Sequence, residues 1–351
     1  MERADRGLAF MLQYENIAWY ENGTVRILDR RVYPTKVEFV ECKTVQEVAK
    51  AITDMVTQSA GPYTAAQMGM ALAAYQAWNQ DENGWLDFMK KAAHTIAHAR
   101  PTTVDRMTIL VNKSLDAAIA AREKGENVPQ SLVDHAIRAN NARYRKIGKM
   151  AEYLLDMLPQ NAKVLTQCFG ETIVGQTLRA ARERGNELKI FCAETRPYFQ
   201  GARLTASVAK DMGFDTTVIT DNMPAFTIQK EKIDVFTSAA DVICGDGHIV
   251  NKVGTFQIAI VANYLGIPYF ATGAPDKGHP TIDTVQIEMR DPEFTLQAMG
   301  VRTAMAGVKG YYPAFDITPP RLVSGVVTDL GVFSPFNLAQ YDKTNGEGEY
   351  G

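Results

Sequence analysis

The sequence predicts an α/β protein in two parts: a helical N-terminal domain with a small antiparallel β unit, then a doubly wound parallel-sheet domain. Three observations predict it. From Lys163 onward, strand-like and helix-like stretches alternate, with helices closed by Gly185 and Gly213, as in parallel strands joined by helical crossovers. From Thr44 to Met157 the apolar residues recur at helical spacing instead. Before that, residues 14 to 42 fall into short extended pieces around Asn22-Gly23, a strong hairpin signal. The boundary falls near Asn161, giving domains of 1–160 and 161–351.

Taken in order, Ile17–Tyr20, Val25–Leu28 and Val37–Val40 are expected strands of the β unit. Val45, Val48, Ala49, Ile52 and Met55 mark the first helix. Ala65–Trp78, Leu86–His98, Met107–Lys124, Val128–Ala142 and Tyr144–Met157 follow as helices, punctuated by Pro101, Gly125 and Pro129. In the second domain Val164–Thr166, Lys189–Ala193, Thr216–Thr220, Val235–Ile243 and Ile267–Ala271 are expected strands. The expected helices are Ile173–Arg184, Arg203–Met212, Pro224–Lys230 and Thr255–Leu265. The polar, glycine-rich tail from Phe336 is expected to fray.

Composition excludes several classes. The 351 residues suffice for two domains with real cores, and 46% hydrophobic with 22% charged residues is ordinary for a soluble globular protein. A formal net charge of −3 gives no basic stripe for nucleic acid. Four scattered cysteines form neither a disulfide framework nor a zinc signature. No apolar run approaches a membrane span, and the N-terminus lacks a secretory core. The expected compartment is the cytoplasm.

The richest stretch is Asp241–Thr255, D-V-I-C-G-D-G-H-I-V-N-K-V-G-T. Asp246 and His248 offer a carboxylate and an imidazole at a strand end, where open α/β sheets bind ligands. Two apart in an extended segment, they would face the same ligand, and histidine serves as acid or base near neutral pH. An Asx-type turn with a solvent-facing histidine is the competing reading. Asn251-Lys252, ahead of a helix, suit a hydroxyl and an anion, or else a cap and a surface lysine.

Cys168, just past a strand and before a helix, is either a thiol activated by the helix N-terminus or a small buried apolar residue. Cys192 and Cys244, within strands, read as buried. Arg196, Gln200 and Arg203 surround Pro197 and Gly201 before a helix, and Arg100-Pro101 sits at a helix break; guanidinium groups and helix-terminal amides suit phosphate. The five histidines lack metal-ligand spacing, so no metal is expected. Neither a P-loop nor a dinucleotide fingerprint occurs, so no nucleotide cofactor is expected.

Read together, E-T-R-P-Y-F-Q-G-A-R-L-T-A (Glu194–Ala206), V-I-T-D-N-M, D-G-H-I-V-N-K-V-G-T, P-A-F-D-I-T-P (Pro313–Pro319) and A-R-P-T-T (Ala99–Thr103) resemble the methylthioribose-1-phosphate isomerases. These share a superfamily with ribose-1,5-bisphosphate isomerases and the regulatory subunits of translation initiation factor 2B. The resemblance covers nearly the whole chain. It implies a Rossmann-like C-terminal domain, a homodimer, an interdomain cleft, and conversion of an aldose 1-phosphate into a ketose 1-phosphate with no cofactor. It implies that Cys168 is the family's catalytic cysteine, which the initiation-factor subunits generally lack. Arg100, Gln200, Asn251 and Lys252 take the sugar and phosphate contacts.

The sequence departs from the family twice. His248 stands where the family has its catalytic aspartate, with Asp246 at a position usually held by asparagine. The family's Arg-Gly-Ala-Pro loop reads Q-S-A-G-P-Y-T here (Gln58–Thr64), without its phosphate-holding arginine. The substrate expected is methylthioribose 1-phosphate or an analogue such as 5-deoxyribose 1-phosphate. Cys168 would act at C1/C2, and His248, or Asp246, would protonate the ring oxygen. A non-catalytic, initiation-factor-like regulatory protein is the alternative.

Overall fold

The computed structural model describes residues 3–79, 81–100 and 104–345. These divide into two compact units, one running to Arg145 and one from Lys146 onward. The division lies within a single helix, while the boundary expected near Asn161 falls in the turn after it.

The first unit opens with a one-turn helix α1 (Tyr14–Ile17) and an antiparallel meander of β1 (Ala18–Glu21), β2 (Thr24–Leu28) and β3 (Phe39–Cys42). Asn22 and Gly23 both take positive φ at the β1–β2 turn, as a tight hairpin requires. Helix α2 (Val45–Thr53) is fixed by a capping box between Thr44 and Glu47. Helix α3 (Gly61–Gln76) is buried from Gly61 to Ala74 apart from Tyr63, and a helix apolar all round is a core helix. Around it pack α2, α4 (Glu82–Ala97) and α5 (Val104–Glu123), joined in one core with the meander. Helix α6 (Val128–Asp156) runs unbroken for 29 residues. Two helices were expected there; no proline or glycine lies between Ala142 and Tyr144 to stop the first.

The second unit is built on a seven-stranded sheet ordered β15-β14-β10-β7-β4-β5-β6. Its strands are β4 (Lys163–Thr166), β5 (Lys189–Ala193), β6 (Asp215–Ile219), β7 (Val235–Ala239), β10 (Tyr269–Thr272), β14 (Gly325–Thr328) and β15 (Gly331–Phe333). All neighbours pair in parallel except β14–β15. The crossovers carry α7 (Glu171–Glu183), α8 (Ala206–Asp211), α9 (Pro224–Glu231) and α10 (Thr255–Tyr264). The Rossmann-like α/β fold is therefore present. Chain order runs outward from β4 on both sides, so β4 is the switch point, where such sheets bind ligands beyond the strand ends.

Two expectations fail here. Val235–Ile243 is not one strand. The chain breaks at Ala240-Asp241, and β8 (Val242–Ile243) leaves the parallel sheet to pair with β9 (Ile249–Lys252), which pairs in turn with β13 (Phe315–Thr318). The excursion before β13 carries the short hairpin of β11 (Gln297–Ala298) and β12 (Val301–Arg302). The tail is also more ordered than its composition suggests: α11 (Ala339–Asn345) is seated by Tyr341, which donates to Asp329 (3.1 Å) and meets Phe333 edge-on.

Candidate active site

Cys168 lies two residues beyond β4, at the switch point. Its φ is +63°, and Thr195 and Phe199 on the loop after β5 are also left-handed, at +63° and +57°. Each such residue costs about 1–3 kcal/mol and persists only where its surroundings hold it. The holding groups are visible. Thr195 Oγ1 accepts from the Cys168 N–H (3.0 Å), and Thr205 Oγ1 donates to the Cys168 carbonyl (2.5 Å). Asp221 holds Thr195 in turn, accepting from the N–H groups of Thr195 (2.8 Å) and Arg196 (2.7 Å).

Gln167 couples this loop to the second stretch. Its Nε2 donates to the Val253 carbonyl (3.1 Å). A Cβ on Gly254, whose φ is +105°, would stand 2.7 Å from that amide nitrogen, so only glycine fits. The cysteine loop and the end of β9 are thereby locked together.

Lys252, at the end of β9, is 4% exposed. It is no surface lysine. Its ammonium lies 4.4 Å from the centroid of Phe315, its partner in the β9–β13 register. Burial pulls its pKa below the usual lysine value, with Arg290 acting the same way and Cys168 and Asp241 opposing. Asn251 is buried and donates to Thr255 Oγ1 (3.1 Å). The cap of α10 comes from neither residue: Asp316 on β13 accepts from the N–H groups of Gly254 (2.6 Å) and Phe256 (3.1 Å). Burial raises the Asp316 carboxyl to about 6 despite these bonds.

The thiol departs from expectation. Burial pushes Cys168 up to about 11, and the nearby Lys252 charge pulls it down only in part. At neutral pH the group is S–H. The helix effect expected to lower it is outweighed by desolvation. Cys192 and Cys244 are buried, as expected.

The Asp246–His248 turn also differs. Instead of pointing together at a ligand, the two side chains meet, with His248 Nδ1 3.0 Å from Asp246 Oδ1. Asp246 further accepts from the N–H groups of His248 (3.2 Å) and Ile282 (3.0 Å). Burial opposes its ionisation, yet these partners hold its pKa below the usual carboxylate value. It is an Asx-type turn with its carboxylate lying against the imidazole.

Among the expected arginines, Arg196 donates to the carbonyls of Gln297 (2.9 Å) and Thr295 (3.3 Å) and stacks on Phe199. Arg203 donates to the Tyr198 carbonyl (3.3 Å). Gln200 is 5% exposed, and its Oε1 has no hydrogen-bond partner. It precedes a π turn, Gly201–Thr205, that leads into α8. Arg100, half-buried, follows α4 in the first unit; Pro101–Thr103 of the same motif lie outside the described residues. In that unit the Gln58–Thr64 stretch does meet a guanidinium, because buried Arg30 donates to the Gln58 carbonyl (2.7 Å).

A sequence profile described as the Initiation factor 2 subunit family matches residues 58–335. The chain belongs to this family. Within it, the chain is 35% identical to methylthioribose-1-phosphate isomerase 1 of Pseudothermotoga lettingae, over 90% of this chain and 94% of that one. It is 31% identical to the methylthioribose-1-phosphate isomerase of Desulforamulus reducens, over 91% and 96%. The crystal structure of 5-methylthioribose 1-phosphate isomerase from Pyrococcus horikoshii OT3 superposes with a TM-score of 0.82 at 30% identity, covering 94% of this chain and 96% of that one. Another family structure, the translation initiation factor eIF-2B subunit delta from A. fulgidus, gives 0.80 at 31% identity, covering 93% and 98%.

Sequence reading missed the residues that hold this family member's site together. Thr195, Thr205 and Gln167 act through backbone and amide bonds that leave no periodic trace. Asp316 stood inside a quoted motif, but its role depends on β13 lying beside β9.

Proposed function

We propose that this protein is an aldose–ketose isomerase acting on a sugar 1-phosphate, with methylthioribose 1-phosphate or a close analogue such as 5-deoxyribose 1-phosphate as substrate. The observation that carries the reading is the strained, doubly anchored Cys168 at the sheet's switch point with the buried Lys252 ammonium as its charged neighbour. The named relatives support it.

An aldose esterified at its anomeric oxygen cannot open its ring freely. One group must protonate the ring oxygen while hydrogen passes from C2 to C1. Cys168 takes the C1/C2 side. His248, oriented by Asp246, takes the ring oxygen. Lys252 and Asn251 hold the phosphate and a hydroxyl, Gln200 offers its free Oε1 to a hydroxyl, and Arg100 is assigned to the phosphate by the resemblance. Arg196 and Arg203, already bonded to backbone carbonyls, shape the loop. The protein works as a homodimer in the cytoplasm.

The second reading is a non-catalytic ligand-binding protein, favoured by the similarity to the initiation-factor subunit and by His248 in place of an aspartate. NMR of the purified protein with several aldose 1-phosphates separates the two. A ketose 1-phosphate product is expected from at least one, and His248→Ala should slow its formation roughly 10²-fold if acid catalysis is lost. No product from any aldose 1-phosphate would leave the binding-protein reading standing.

A further inference from the structure

Beside Lys252 stands a second buried cation that no motif announced. Arg290 is held by Glu288, with Nε 2.8 Å and Nη2 3.4 Å from its carboxylate oxygens. Its guanidinium lies 5.7 Å from the Phe315 centroid and 5.7 Å from that of Tyr198. The Lys252 ammonium sits over the same Phe315 ring. Tyr198 packs on Tyr312 at 6.2 Å, and Tyr312, 2% exposed, feels the Arg290 charge. Two fully enclosed atoms here, Arg290 Nη1 and the Tyr312 hydroxyl, make no hydrogen bond of good geometry; the hydroxyl's near partner is the Arg290 guanidinium, which can only donate to it and so leaves its O–H free to donate elsewhere.

A buried polar group left unsatisfied carries its full desolvation penalty, so such groups call for an explanation. The Arg290 side chain is only 10% exposed, which leaves Nη1 little water to bond. The chemistry of the set is one-sided. An ammonium, a guanidinium N–H and a phenolic O–H all donate. Their complement is an oxygen-rich anion, and charge-assisted bonds of this kind are the strong ones. The cluster also adjoins the thiol, since both Lys252 and Arg290 act on Cys168.

We propose that Arg290 and Tyr312 are substrate-binding residues that donate, through Nη1 and the hydroxyl, to phosphate oxygens of the sugar phosphate held by Lys252. This rests on the isomerase reading and adds to it two phosphate donors from the segment before β13. Glu288 is the positioning residue, holding two arms of the guanidinium so that the third faces the ligand.

Calorimetry with inorganic phosphate on the intact protein tests it without needing turnover. Tyr312→Phe removes one oxygen atom and should weaken phosphate binding about tenfold, the usual loss for one bond to a charged group. Arg290→Lys keeps the charge but not the fork and should lose a similar factor. Thermal melting of each variant reports folding; if Arg290→Lys fails to fold, Tyr312→Phe decides alone. A folded Tyr312→Phe that binds phosphate as tightly as the parent overturns the proposal. If the parent binds phosphate with the predicted dependence yet isomerises no aldose 1-phosphate, the isomerase reading falls and this assignment stands.

Discussion

Cys168 and Lys252 form the residue-scale unit of the site, and each shifts the other. Burial raises the thiol to about 11 and lowers the ammonium, while their mutual attraction favours the charged pair. At neutral pH the cysteine is a thiol, beside a lysine whose pKa burial lowers. Because only the thiolate reacts with iodoacetamide, labelling of Cys168 should keep rising about tenfold per pH unit past pH 9, toward the raised pKa. A plateau near pH 8.5, the ordinary cysteine value, would refute the raised thiol pKa. Lys252→Met removes the charge that opposes burial, so labelling at any one pH should slow further; an unchanged rate would mean the two groups do not interact. From sequence, Cys168 was visible as a candidate but its pKa was misjudged. The helix start is a local feature, whereas desolvation depends on how distant stretches pack around the thiol.

At the scale of elements, the loop after β5 and the π turn before α8 fix the geometry. Gly201 is the tightest point: a Cβ there would stand 1.8 Å from the Ala193 carbonyl oxygen and 2.9 Å from Thr195 Oγ1. Backbone cannot yield as a flexible side chain does, so Gly201→Ala should destabilise the fold by at least ~1–3 kcal/mol, the usual overpacking loss. Urea denaturation measures it, and an unchanged midpoint would show that the loop is free to move. The π turn itself fits the habit of such bulges to mark functional sites. Most helices and strands were legible, because each carries its own apolar period. The break between β7 and β8 was not: Val242 and Ile243 are as apolar as the strand before them, and only pairing with β9 draws them away.

At the scale of the whole molecule, Phe226 on α9 and Tyr264 on α10 stand 70% and 86% exposed on neighbouring helices of the second unit. With the homodimer proposed above, light scattering at micromolar concentration should give twice the 38.8 kDa chain mass. A mass equal to one chain would remove the homodimer. Among the described residues no helix is long and apolar enough to cross a membrane.

The sequence by itself determined the class of fold, the order of its elements and the family, and put Cys168, Gln200, Asn251 and Lys252 forward as candidates, since periodicity and motif order are written locally. Tertiary structure alone decided that the Cys168 thiol is raised in pKa, that Asp246 and His248 lie against each other, and that Arg290 and Lys252 share the Phe315 ring. Those outcomes depend on desolvation and on which distant segments touch. Both arise only when strands far apart in the chain are brought side by side.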